Sequence, residues 1–427
     1  MRLSAGFARR AILFLSFSAA RGVQMLAPVA VATLLPLAAY GAVEWAHATA
    51  TLSMSVAMMG VASLIPLYLI RTADGAERRG NVRAACWHSI AVALCGLAAA
   101  GLAALALGGG HISVLVCVLI ATLASHGFLT GWCRASGRMS VALYLEALPF
   151  AAMAVVAALI RWTDAHEPLS VMAASMAAVA AALLLVVLHL AKTWKDQPLD
   201  RANYRDTLRA GLPIMIGGLV AVAATLSGRF GAGALGEPET AGAFAAIARI
   251  AALCIVVHQF VIIARYHDLY ALPITKLQRI GIFTNACVAV CCVALMALTL
   301  LPLQLFGPTF AQSFAANREA AVWLVAQVVV WSCTSLNEMF VLRCGRVART
   351  VVFAAVSMAA ALGLAVAALN GGAAVVDIAR WHTLVLLAIF AAQVVGLGES
   401  RVFFYRYWVS VALAFLGVLA FGYLLMT

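Results

Sequence analysis

The sequence predicts an all-α polytopic membrane protein, built as two six-helix halves with a thirteenth helix added at the C-terminal end. Three observations predict it. Hydrophobic residues make up 65% and charged residues 10% of the 427 residues. The apolar residues gather into thirteen runs, each about the ~20 residues a helix needs to cross a bilayer. The loops between those runs are alternately rich in and nearly empty of Lys and Arg.

In order, the runs are placed at 11–36, 44–70, 85–107, 112–132, 141–160, 169–190, 211–234, 240–264, 281–305, 320–342, 351–370, 380–397 and 408–426. The first extends well beyond the apolar core of a secretion signal, with no small-residue cleavage site before the second, and is kept as a helix. Arg2, Arg9 and Arg10 precede it, and Arg71, Arg78, Arg79 and Arg83 follow the second run. Arg134 and Arg138 follow the fourth; Lys192, Lys195, Arg201, Arg205 and Arg209 follow the sixth. Arg265, Lys276 and Arg279 come after the eighth, Arg343, Arg346 and Arg349 after the tenth, and Arg401 and Arg406 after the twelfth. One side thus carries 22 basic residues and the other only Arg161, Arg318 and Arg380. The excess marks the cytoplasmic side, which puts the N-terminus inside and, after thirteen crossings, Thr427 outside.

The longest polar connection, Ala191 to Ala210, divides the chain into halves at 1–200 and 201–397, with 398–427 as the appended helix. Both halves open alike, with a helix carrying a proline and an arginine: Arg21 with Pro28, and Pro213 with Arg229. Pseudo-repeats of this kind recur in transporters, with the substrate site at their interface.

Several classes are excluded. The net charge of +12 comes from loops spaced between apolar runs, so no nucleic-acid partner is expected. Gly231, Gly233 and Gly236 spell G-x-G-x-x-G, but at the end of a membrane helix with no preceding strand they indicate no nucleotide site. No P-loop or G-x-S-x-G accompanies them, so neither catalysis nor a cofactor is expected. The ten cysteines lie in or at the ends of apolar runs without C-x-x-C or zinc spacing, and are read as reduced packing residues. His88, His126, His189 and His258 are isolated, which favours packing or hydrogen bonds between helices over a metal.

Three arginines interrupt the apolar runs: Arg21, Arg229 and Arg249. At mid-membrane each costs roughly 2.5–3.5 kcal/mol, and the three together on the order of 8–10 kcal/mol, which something must offset. Ser18, Arg21, Gln24 and Pro28 follow helical spacing and form a polar, kinkable stripe. A positively lined cavity taking an anionic substrate accounts for all three arginines; structural pairing or snorkelling is the alternative for each. A second stripe, Gln327, Trp331, Thr334 and Glu338, stacks on one face of the tenth run and should avoid lipid. Glu146, with few basic neighbours in sequence, and Glu338, five residues before Arg343, are candidates for ion coupling, with a local ion pair the alternative for Glu338.

The stretch Leu208 to Leu253 resembles the central signature of bacterial polysaccharide transporters, the oligosaccharide-lipid flippases of the multidrug/oligosaccharidyl-lipid/polysaccharide exporter superfamily. The matching features are Gly211-Leu212-Pro213, Arg229-Phe230, Leu235-Gly236, Gly242 and Arg249-Ile250, joined near the start by Ala39-Tyr40-Gly41. The family often has Asp before the first Arg and Tyr after the Gly, where this chain has Gly228 and Phe244. The resemblance implies two N-shaped halves around a central cavity and export of a polyprenyl-pyrophosphate-linked glycan by alternating access, with cavity arginines holding the pyrophosphate. It implies as partners the lipid-linked glycan, membrane lipids, and membrane-bound glycan polymerases or glycosyltransferases. A multidrug-type cation exporter of the same fold and a non-transporting scaffold of a glycan-synthesis complex are the rivals. Three Arg and few acids suit a diphosphate better than a lipophilic cation, because Arg pairs bidentately with phosphate oxygens.

Overall fold

The computed structural model describes residues 5–71, 75–194, 201–235, 237–264, 273–299, 312, 314–368 and 374–426, and among these it contains helices and turns but no strand. Residues 195–200 of the polar connection, Gly236, Arg265 and the end of the ninth run lie outside the described residues. The chain packs as two units, residues 1–222 and 223–427.

The first unit holds α1 (Ala5–Leu34), α2 (Leu37–Ala57), α3 (Val61–Arg71), α4 (Gly75–Leu107), α5 (Ile112–Ala135), α6 (Met139–Thr163) and α7 (Pro168–Ala191). It also takes most of the long helix α8 (Arg201–Leu235), inside which the division falls. Prolines set several of the boundaries. Pro36 disfavours helical backbone in the residue before it, which ends α1, and Pro168 opens α7 at a position where its missing N–H is not needed. Helix α5 is the centre of the unit, packed by α2, α3, α4, α6 and α7. Small residues allow this: a Cβ on Gly96 of α4 would stand 3.0 Å from Cys117 O, and one on Gly131 of α5 would stand 3.2 Å from Ala62 O.

Among the described residues twelve helices are long and apolar enough to cross a membrane, and they coincide with twelve of the thirteen expected runs. The run at 44–70 departs from expectation. It is broken into α2 and α3 at Met58–Gly60, where Met59 and Gly60 take φ of 46° and 72°. Gly60 permits the positive φ that ends α2, and the backbone of Gly211 in α8 packs closely on this turn: a Cβ on Gly60 would overlap Gly211 O and one on Gly211 would overlap Met59 O. His88 of α4 closes the break, with Nε2 2.9 Å from Ala57 O and Nδ1 2.8 Å from the Tyr204 hydroxyl. A carbonyl only accepts, so Nε2 carries the proton and Nδ1 accepts from Tyr204. Ala57 O is among the last-turn carbonyls of α2, which lack a partner within their own helix.

The second unit takes the end of α8 and then α9 (Pro238–Ala251), a 3-10 turn at Ala252–Cys254, and α10 (Ile255–Ala264). It continues with α11 (Ile274–Thr299), α12 (Arg318–Arg343), α13 (Val347–Ala368), α14 (Val375–Gly396), a 3-10 turn at Gly398–Phe404, and α15 (Tyr405–Leu424). Helix α12 is central, packed by α9, α11, α14 and α15. It also buries Gln327, Ser332, Cys333, Thr334 and Asn337. Polar side chains at membrane depth need partners, and here helices supply them to one another. Gln393 Nε2 donates to Thr334 O at 3.1 Å, Trp408 Nε1 to Asn337 Oδ1 at 3.3 Å, and Asn285 Nδ2 to Ser410 Oγ at 3.2 Å.

Helix α15, expected as an addition to the core, is packed into it. Near one end Tyr407 lies over Gly281 of α11, where a Cβ would stand 2.8 Å from its ring. Near the other, Trp323 Nε1 donates to Tyr423 Oη at 3.1 Å, and the Tyr423 hydroxyl donates to Glu319 Oε1 at 2.8 Å; Glu319 in turn pairs with Arg380 of α14. All ten cysteines are free; Cys86, Cys133, Cys254, Cys292 and Cys333 are buried, whereas Cys95 is exposed.

Candidate functional site

The two most informative polar residues of the first unit meet. Arg21 lies seven residues beyond Phe14, where the apolar part of α1 begins, and Glu146 lies seven residues beyond Met139, the start of α6. At ~1.5 Å per residue both stand about 10 Å in from those starts, and α1 packs along α6. Arg21 Nη2 is 3.4 Å from Glu146 Oε2, while Glu146 Oε1 accepts from Nη2 of Arg134 in the last turn of α5. Arg21 Nη1 donates to Gln24 Oε1 at 2.5 Å, and its guanidinium carbon lies 5.7 Å from the centre of the Phe17 ring. Glu146, Gln24 and Phe17 are buried; Ser18, expected on the same stripe, is exposed. Arg21, whose cost at membrane depth something had to offset, therefore has a carboxylate partner, and Glu146, read as having few basic neighbours in sequence, has two basic partners. Two guanidiniums face one carboxylate, so the cluster keeps a formal charge of +1.

In the second unit Arg229 is half-buried near the end of α8, one residue after a knot that the sequence did not reveal. His382 of α14 accepts from the Gly228 N–H at Nδ1, 3.1 Å away, and Ser227 Oγ lies 2.8 Å from the same nitrogen. A backbone N–H only donates, so the ring proton sits on Nε2. Phe244 of α9 meets the His382 ring edge-on at 6.0 Å between centres. Arg229 is close enough to act on His382 electrostatically. A Cβ at position 228 would overlap Phe244 Cζ and stand 2.8 Å from His382 Cγ. The two departures from the family pattern, Gly228 and Phe244, are thus one feature: the ring occupies the room an aspartate would need. Gly231, the first glycine of the G-x-G-x-x-G match, lies against Trp381 of α14 in the same way, which is a packing role.

Arg249 is half-buried in the last turn of α9, which packs on α12 and α14. Of the stripe on α12, Gln327 and Thr334 are buried, Trp331 is half-buried, and Glu338 is exposed and makes no ion pair among the described residues. The side chain of Arg343, its expected partner, lies outside the described residues. Sequence reasoning missed Arg134 and His382. Arg134 was hidden among the loop arginines; the three-residue connection Ser136–Arg138 between α5 and α6 was the signal that could have paired it with Glu146. For His382 the signal was Gly228 itself, a glycine where a side chain was expected.

We expect Gly228→Ala to lower stability by about 1–3 kcal/mol, as overpacking of a filled site does, and Phe244→Ala in the same chain to restore part of that loss. Thermal unfolding of the detergent-solubilised variants checks this. Unchanged melting of Gly228→Ala would show that the contact yields.

Residues 9–265 match the family described as polysaccharide biosynthesis protein, more than half of the chain. The chain belongs to this family. The matched part runs from α1 to the end of α10 and includes Arg21, Arg134, Glu146, Arg229 and Arg249. Among solved structures, one described as the inward-facing conformation of a multidrug resistance MATE family transporter of the MOP superfamily aligns at 17% identity and a TM-score of 0.55, covering 92% of this chain and 94% of that one. An outward-facing structure of the same description aligns at 16% identity and a TM-score of 0.49, covering 95% of each chain. At these identities the likeness concerns the fold: this member of the family is an all-α multi-pass membrane protein of MATE type, with two halves. The curated proteins offer no match.

Proposed function

We propose that the protein is an exporter that carries a polyprenyl-pyrophosphate-linked oligosaccharide across the bacterial inner membrane by alternating access, for the synthesis of cell-surface polysaccharide. The family and the fold support a transport role in polysaccharide biosynthesis. The single observation that carries the substrate reading is Arg21. Its guanidinium lies at membrane depth in a cluster of net charge +1, and its Nε is buried without a hydrogen-bond partner among the described residues. Such a cation repels a lipophilic cation and suits a diphosphate, whose oxygens match the guanidinium fork. Arg229 and Arg249 of the second unit are proposed to serve the same substrate, with Gln24 as a polar contact beside Arg21.

Deleting the protein is the test. A polyprenyl-pyrophosphate glycan should accumulate on the cytoplasmic leaflet while surface polysaccharide is lost. Intact surface polysaccharide together with new sensitivity to lipophilic cations would point instead to a cation exporter. Loss of polysaccharide without translocation by purified protein in vesicles would point to a scaffold.

A further inference from the structure

The edge of an arginine that grips phosphate best is the one formed by Nε and one Nη, because its two N–H groups point in parallel at two oxygens. In Arg21 this edge is underused. Nε has no hydrogen-bond partner among the described residues, and Nη2 stands 3.4 Å from Glu146 Oε2, beyond the ~2.7–2.9 Å of a charge-assisted hydrogen bond. The carboxylate's hydrogen bond goes from its other oxygen to Arg134. Side-chain exposure orders the three groups: Glu146 10%, Arg21 22% and Arg134 48%. Glu146 is thus firmly tied to the outermost cation and only loosely to the inner one.

We infer that the Glu146 carboxylate is an internal substitute for a substrate phosphate, resting on Arg21 while the site is empty and giving it up to the incoming diphosphate. This rests on the diphosphate reading of Arg21 above. The exchange needs little rearrangement around the acid. Two anions cannot share one guanidinium edge closely, so a phosphate engaging Nε and Nη2 of Arg21 drives Glu146 off it, and the existing bond to Arg134 keeps that carboxylate compensated. Arg21 itself turns away from the Phe17 ring to present the edge. When the diphosphate leaves, Glu146 returns to Arg21, so its charge weakens binding and promotes release. Arg134 is a positioning residue in this scheme: it holds the carboxylate back from Arg21.

The sign of the effect is what distinguishes this role from a merely structural one. The full chain in detergent is titrated with inorganic pyrophosphate and, separately, with farnesyl pyrophosphate. Glu146→Gln, which keeps the shape and removes the competing charge, should bind about 5- to 150-fold more tightly, the usual range of coupling between two ligands at linked sites. Arg134→Gln should bind more weakly, because Glu146 is then free to settle on Arg21. Glu146→Asp keeps the charge and should bind like the wild type; tightening as large as that of Glu146→Gln would overturn the charge explanation. If Arg21→Ala loses binding while Glu146→Gln binds no more tightly than the wild type, the exchange is wrong and the role of Arg21 stands. If Arg21→Ala binds like the wild type, the diphosphate reading of Arg21 fails, and the exchange fails with it. Tightening toward inorganic pyrophosphate alone would assign the exchange to a free phosphate compound, and tightening toward both probes to a lipid headgroup; either supports it.

Discussion

Export per inserted molecule should fall about 100-fold or more when Arg21 is replaced by Ala, with the protein still present in the membrane. Two charge-assisted hydrogen bonds to a phosphate contribute roughly 1.5–3 kcal/mol each, and each ~1.4 kcal/mol is a factor of ten. The fold should tolerate the loss because Glu146 keeps its bond to Arg134 and is not left as an unpaired buried charge. Arg21→Lys should retain part of the activity, since charge survives but the planar fork does not. The same order, Ala below Lys below Arg, is expected at Arg229 and Arg249. An arginine that only packs helices would behave differently: its loss would lower the amount of folded protein while export per molecule stayed near the wild-type level. Export normalised to membrane-inserted protein separates the two.

The second large effect is expected at Gly211. A methyl group there would overlap Met59 O, and a backbone carbonyl cannot turn aside as a side chain can. Gly211→Ala should therefore destabilise the first unit by about 3 kcal/mol, the upper part of the range for overpacking. Gly217 and Gly218 lie on the same helix with open space around the Cβ position, so Ala at either should be neutral or stabilising by up to about 1 kcal/mol. Melting temperatures in detergent give the comparison. Equal behaviour of all three would mean that α8 can move away from the turn at Met58–Gly60.

What the sequence made legible was whatever depends on local composition. Apolar length located twelve of the membrane helices, because the bilayer sets that length directly, although the seventh begins at Arg201, ten residues before the expected start. The break in the second run was not read: Gly60, with φ of 72°, is its only local sign, and the close approach of Gly211 to the same turn comes from more than a hundred residues later. Arg21 and Glu146 were each singled out as costly, but their pairing depends on equal depth along two packed helices, which can be reckoned only once both helix starts are known. The polar stripe on α12 was readable from its spacing, yet the burial of Gln327 and Thr334 against the exposure of Glu338 was not, because it depends on the helices packed around α12. Gly228 looked like a missing charge. The packed rings of His382 and Phe244 show it as a steric fit, and the glycine alone does not say which rings fill the space.

Helix α15 carries a consequence for the biogenesis of the protein. It is synthesised after every element it covers, yet Gly281 of α11 and Val322 of α12 are built to receive Tyr407 and Gly422. Until it is inserted, α12, whose Asn337 accepts from Trp408, has a hydrogen-bonding side chain waiting in the bilayer for its donor. The second unit therefore completes its assembly late, while the first can settle as it leaves the ribosome. In that interval the nascent chain is most exposed to membrane quality control, and lesions in the final helix should shorten its lifetime rather than alter its transport.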